Sequence, residues 1–204
     1  MDAARLGEAE RSYARTVALA PTDVEAHNSR CHVLRRLGRA KEALASCEQA
    51  LRLAPRHAWA WYNKATALTA LADAAGAGME KAVPGDANTR QTQAARLRLQ
   101  EALASYDRAL TMLPRLGQGW MEMSGVLERL GRSQEALAAH ERAAQADVAH
   151  AAGLAARVNK LGVARFGEGR RAEALHHFEH ALQLDPAHAD ARHNRERATM
   201  TPLA

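Results

Sequence analysis

The 204-residue chain is predicted to be an all-α protein of the α-solenoid class, a stack of short helical units. Three observations lead there. First, Ala9, Ala43, Ala102, Ala136 and Ala174 follow one another at gaps of 34, 59, 34 and 38 residues. Tyr13, Cys47, Tyr106, His140 and Phe178 repeat those gaps four places on, and Thr16, Ala50, Ala109, Ala143 and Ala181 repeat them three further. Second, each series closes five places later on Pro21, Pro55, Pro114, Val148 or Pro186. Third, Ala, Leu, Arg and Glu are abundant while aromatic residues make up 4%, which suits helices throughout and leaves little from which to build a sheet.

A 34-residue period with Ala-x3-aromatic and a closing proline, as at Ala102, Tyr106 and Pro114, resembles the tetratricopeptide repeat. The resemblance implies a helix-turn-helix per unit, with a bulky residue near the start of each first helix, here His27, Trp61, Trp120 and Val158. It implies alanines where the paired helices approach closely, and Tyr13, Tyr106 and Phe178 filling the space between units. Proline then ends the second helix, having no N–H to donate. The family's Leu-Gly pair survives only as Leu161-Gly162, its counterparts being Arg30-Cys31, Lys64-Ala65 and Met123-Ser124. Those departures predict looser packing in the first two full units.

In chain order, residues 6–21 read as a second helix without its first. Such a helix belongs to a longer solenoid, caps the stack, or is covered by another subunit through self-association. Residues 24–57 form a full unit turning at Leu37-Gly38-Arg39. Residues 58–114 form another, with 25 extra residues near 72–96 that are expected to form a loop broken by Gly76, Gly78, Pro84 and Gly85. Beyond that loop a long helix is expected to start with Asn88 or Thr89 as cap. Residues 117–150 turn at Leu130-Gly131-Arg132, and 151–188 carry four extra residues, about one turn, placed ahead of Val158 or, if Leu154 is the bulky residue, inside the hairpin. A polar helix over 189–200 should cap the stack, with the terminal TPLA frayed. The whole of 1–204 is read as a single solenoid domain.

Charge and motifs exclude more than they assign. A net charge of +5 without a run of about five or six like charges, or any nucleic-acid motif, argues against nucleic acid as partner. No stretch approaches 18 apolar residues, so neither a membrane anchor nor a signal peptide is expected, and the cytoplasm is the default location. Cys31 and Cys47 should face the interior of one hairpin, and reduced thiols are the expected state, with a disulfide as the alternative. His176, Glu179 and His180 match the spacing H-x-x-E-H, but they fall on a turn expected to face solvent with no third ligand downstream, so no metal is expected. Phosphate loops, CxxC pairs and nucleophile elbows are lacking, so no cofactor and no enzyme activity is expected.

The resemblance implies that the first helices line a concave groove. Asn28, His32, Arg35 and Arg36 form one stripe by helical spacing, and Trp59, Tyr62, Asn63 and Thr66 follow on the next first helix, with Trp59 and Tyr62 as an exposed aromatic pair. The third unit offers Gln118 and Glu122, so the groove should pass from basic to acidic. Asn28, Asn63, Asn159 and Asn194 fall one or two places after the bulky residues of their units, interrupted by Glu122; this is similar to the asparagine ladder of O-linked N-acetylglucosamine transferases and implies a clamp on a peptide main chain. The expected function is a non-catalytic scaffold holding an extended peptide or partner helix. The alternative is the substrate-recognition or assembly portion of a larger enzyme such as a glycosyltransferase.

Overall fold

The computed structural model describes residues 3–76, 86–146 and 151–200. Among them lie α1 (Ala3–Leu19), α2 (Val24–Arg36), α3 (Ala40–Leu53), α4 (Ala58–Gly76), α5 (Asp86–Met112), α6 (Gly117–Arg129), α7 (Ser133–Ala146), α8 (Ala151–Gly167), α9 (Arg171–Leu184) and α10 (Ala189–Met200), with no strand among the described residues. Two compact units divide the chain: Met1–Pro114 with Gly125–Gly131, and Arg115–Ser124 with Arg132–Ala204.

Three first helices begin, and three end, by a repeated device. Asp23 caps α2 by accepting from the Ala26 N–H at 3.0 Å. At the same register His57 Nδ1 accepts from Ala60 at 3.1 Å and His188 Nδ1 from Ala191 at 3.3 Å. Accepting at Nδ1 places the His57 proton on Nε2, which donates to Glu25 at 2.8 Å. The turns fall on Gly38, Gly131 and Gly169, whose φ of 74°, 77° and 77° lies where a Cβ is penalised. The next N–H then reaches back over five residues, Arg39 to the Leu34 carbonyl and Arg170 to the Arg165 carbonyl, both at 2.9 Å.

The bulky residue near each helix start does more than fill space. Trp61 Nε1 donates to the Pro55 carbonyl at 2.8 Å, His27 Nε2 bonds the Pro21 carbonyl at 2.9 Å, and Arg192 donates to the Pro186 carbonyl at 2.8 Å. A six-residue interval thus ties each of these helices to the end of the one before. The Trp61 ring also carries the Arg108 guanidinium 4.4 Å from its centroid, a cation–π contact within the first unit.

Where the family has Leu-Gly, each hairpin holds a different matched pair. Gly162 faces Phe178 so closely that a Cβ would lie 2.5 Å from the ring. Ser124 Oγ and His140 Nε2 stand 2.8 Å apart, both buried. Ser124 Oγ donates to the Met121 carbonyl at 2.6 Å, and His140 Nδ1 lies 3.1 Å from Met121 Sδ, so the pair is held on both sides by the same turn of α6. In the 24–57 unit the pair is Cys31 and Cys47, joined by a disulfide with Cα atoms 5.4 Å apart. The expectation of reduced thiols is therefore corrected: at the closest approach of the hairpin the two Cβ atoms face each other within bonding reach. The expected loose packing of the first two full units is corrected too, since Cys31, Cys47, Ala65 and Tyr106 are all buried.

The extra residues of the second full unit are largely helical. α4 runs for 19 residues and α5 for 27, against 13 and 14 in α2 and α3, and α5 begins at Asp86, ahead of Asn88 and Thr89. The near arm of the expected loop, residues 72–76, is corrected to helix, favoured by the alanine-rich ADAAG, while the long helix expected beyond the loop is present as α5. Residues 77–85, with Gly78, Pro84 and Gly85, lie outside the described residues, as do 147–150 and the terminal TPLA. The extra turn of the later unit lengthens α8 to 17 residues and buries Leu154 and Val158 together.

Candidate functional site

The site is built on the first unit. α2 buries Cys31 and Leu34 and turns its other side outward, which presents Asn28, His32, Arg35 and Arg36 along one stripe. α4 brings Trp59, Tyr62 and Asn63 beside that stripe, and α1 supplies Leu6, Ala9 and Tyr13 opposite. Together they enclose a cavity of about 460 Å³ whose lining holds no carboxylate. The cavity thus combines an aromatic wall, an amide pair and a basic rim.

Exposure within the site departs from expectation. Trp59 is 46% exposed and stands edge-on to Tyr62, ring centroids 5.8 Å apart. Tyr62 is corrected from an exposed anchor to a mostly buried one, 9% exposed, because its other edge packs on Tyr106 at 6.1 Å. Asn63 and Thr66 are buried as well, and the Thr66 hydroxyl donates to the Asn63 carbonyl at 2.9 Å. α4 lies between α2 and α5, so one face of it serves the core and only a margin reaches the cavity.

The asparagines bond to one another. Asn63 Nδ2 donates to Asn28 Oδ1 at 2.9 Å within the first unit, and Asn194 Nδ2 to Asn159 Oδ1 at 3.1 Å within the second. Glu122 is half-buried and accepts from Gln118 Nε2 at 3.0 Å. In the first unit the Asn63 Oδ1 is buried and accepts no hydrogen bond, and the buried Arg35 Nε donates none. The cavity therefore carries polar capacity that the fold itself does not use.

Burial holds the His32 imidazole below its ordinary 6.5, and the adjacent Arg35 and Arg36 charges push the same way. The Asn63 amide oxygen pulls weakly in the opposite sense, in a geometry that falls short of a hydrogen bond. For a base shifted down, the unfolded chain binds the proton first, so this residue's contribution to stability is present above 6.5 and declines as pH falls below it. A proton-detected titration of His32 is expected to show a midpoint below 6.5 that moves upward in Arg36→Gln. An unchanged midpoint in that variant would remove Arg36 as a cause.

His176 and Glu179 are exposed, and among the described residues no group of three His, Cys, Asp or Glu could hold a metal. No described helix is long and apolar enough to cross a membrane. The α1 wall of the cavity, Leu6, Ala9 and Tyr13, escaped the sequence reading, although the register of Ala9 and Tyr13 with Ala43 and Cys47 was a signal that could have found it.

An all-α fold of repeated helical hairpins with a polar and aromatic cavity defines a helical-repeat binding protein. The tetratricopeptide repeat profile matches residues 24–57 and 155–188. No curated protein matches the sequence. Among solved structures, MamA is similar at TM-score 0.59 and 19% identity, over 87% of this chain and 86% of that one. TTC0263, a thermophilic TPR protein in Thermus thermophilus, is similar at TM-score 0.56 and 21% identity, over 97% and 92%. MamA 41-end from Desulfovibrio magneticus RS-1 is similar at TM-score 0.60 and 16% identity, over 90% and 88%. At these identities the likeness is one of fold. The chain is a tetratricopeptide repeat protein, a member of a family of protein-interaction scaffolds.

Proposed function

We propose that this protein is a non-catalytic scaffold that holds an extended peptide or partner helix against the first helices of its repeats. The observation that supports this reading is the cavity where Asn28, His32, Arg35, Arg36, Trp59, Tyr62 and Asn63 converge on unused hydrogen-bonding groups. Trp59 is the anchor, since an exposed indole beside a desolvated wall is the kind of residue that dominates interface energy. Asn28 and Asn63 keep a donor and an acceptor that suit a peptide main chain. The second unit contributes Glu122, Asn159 and Asn194 on its own helices. The partner is a protein; nucleic acid, metal and cofactor play no part in this reading. A cytoplasmic location is the sequence's expectation, whereas the Cys31–Cys47 disulfide favours an oxidising compartment.

The test uses Trp59→Ala and Arg36→Glu separately, because Tyr62 and Asn63 are core residues whose loss would disturb the fold. Proteins captured by the immobilised chain and identified by mass spectrometry should fall at least about tenfold with either variant, at unchanged helicity. Equal capture by both variants would remove the cavity as the binding site.

A further inference from the structure

We propose that His57 is a pH-sensitive pin between two neighbouring first helices: neutral, it holds the start of α4 to the start of α2; protonated, it keeps α2 and lets go of α4. Its Nδ1 accepts from the Ala60 N–H at 3.1 Å, while Nε2 donates to Glu25 Oε1 at 2.8 Å. One acceptor serves α4 and one donor serves α2, which is all that a neutral imidazole has. An imidazolium has two donors and no acceptor, so it can hold Glu25 but must release Ala60. Imidazole is the side chain that ordinarily changes charge between about pH 8 and pH 5. The His57 side chain is only 14% exposed, so little water reaches it to replace the lost bond. A positive ring at the start of α4 is also opposed by the helix dipole. The Ala60 N–H leans on the His57 carbonyl as well, at 3.1 Å, so protonation removes the cap and leaves the rest of the first turn in place.

The surroundings isolate the effect. Glu25 is the ionisable group bonded to the ring, and Arg56 adjoins it in the turn. Arg52, in the last turn of α3, is held by Gln49 at 2.9 Å, and His27 of α2 is bonded to the Pro21 carbonyl. The joint around Ala60 is otherwise apolar, built from Val24, Ala50, Leu51 and Trp61. A comparison lies within the same molecule, because Asp23 caps α2 at the same register. A carboxyl keeps an acceptor oxygen whether or not it carries a proton. Acid should therefore undo the cap of α4 and spare that of α2. The first turn of α4 carries Trp59, so the pin governs the seating of that indole, but it is a property of the free chain and does not depend on the scaffold reading.

Nitrogen NMR of the imidazole and amide hydrogen exchange, both on the full chain at about pH 7.5 and about pH 5, test this. At the higher pH the His57 proton should sit on Nε2, with Nδ1 bare. At the lower pH the Ala60 amide, corrected for the pH dependence of intrinsic exchange, should lose about fivefold in protection while the Ala26 amide keeps its own. His57→Asn supplies a capping oxygen that does not titrate and should abolish the change, with circular dichroism verifying that the variant folds. Glu25→Gln leaves an acceptor for Nε2 and should preserve it. Equal protection of Ala60 at both pH values, or a loss that survives in His57→Asn, would overturn the pin. So would a proton on Nδ1 at the higher pH, or a matching loss at Ala26. None of these readouts involves a partner, so failure of the peptide-binding reading would leave them untouched.

Discussion

Replacing Gly162 with alanine is expected to destabilise the hairpin of α8 and α9 by a net of about 2 kcal/mol, although alanine is the better helix former by about 1 kcal/mol. The sign is decided by space. An added Cβ would lie 2.5 and 2.7 Å from two Phe178 ring carbons and 3.1 Å from the His177 Cβ. Phe178 is only 1% exposed and packs on Ala174 and Ala198, so the ring has nowhere to go without opening the cluster. Denaturant unfolding followed by circular dichroism measures the loss, and hydrogen exchange should localise it to α8 and α9. Phe178→Leu makes room, so in its background Gly162→Ala should cost less than half as much. A Gly162→Ala protein more stable than the wild type would mean that the helices stand farther apart than they do here.

Removing the disulfide is expected to cost about 3 kcal/mol, as estimated for closure of a loop of this length; Cys31 and Cys47 are 16 residues apart. Cys31→Ala/Cys47→Ala is the appropriate variant, because alanine already stands at the counterpart of Cys31, Ala65, and alanine at 47 adds no bulk that would strain the hairpin. The melting temperature should drop in the double variant, and drop equally in the wild type once fully reduced. Both sulfurs are wholly buried, so reduction should be slow under native conditions and fast in denaturant. Identical melting with and without reductant would show that the bond is not made in solution.

The spacing of Ala9, Ala43, Ala102, Ala136 and Ala174 made the repeat legible, because a period is a one-dimensional property that survives in sequence. The turns at Gly38 and Gly131 were legible for a similar reason, since only glycine takes that backbone cheaply. Exposure was harder to read. Asn28 lies one place after His27 and Asn63 two places after Trp61, so one is half-buried on α2 and the other lies within the packing of α4, a helix with neighbours on both sides. Pairwise substitution was hidden as well: cysteine at 31, where the family has glycine, looks like a lost contact until Cys47 is seen opposite it. The extra residues after Trp61 carried glycine and proline, which drew attention to breaks and away from the helix-forming ADAAG run before them.

The six-residue tie from a helix start to the preceding proline carbonyl bears on how such a chain changes over generations. Excising residues 24–57 would join Asp23 to Ala58 and bring the Trp61 indole into the sixth place after Pro21, where His27 sits now. The splice would inherit a ready-made joint. Gain or loss of a whole 34-residue block is thus the gentlest rearrangement open to this gene, whereas an excision of any other length breaks the interval and must find a new hinge.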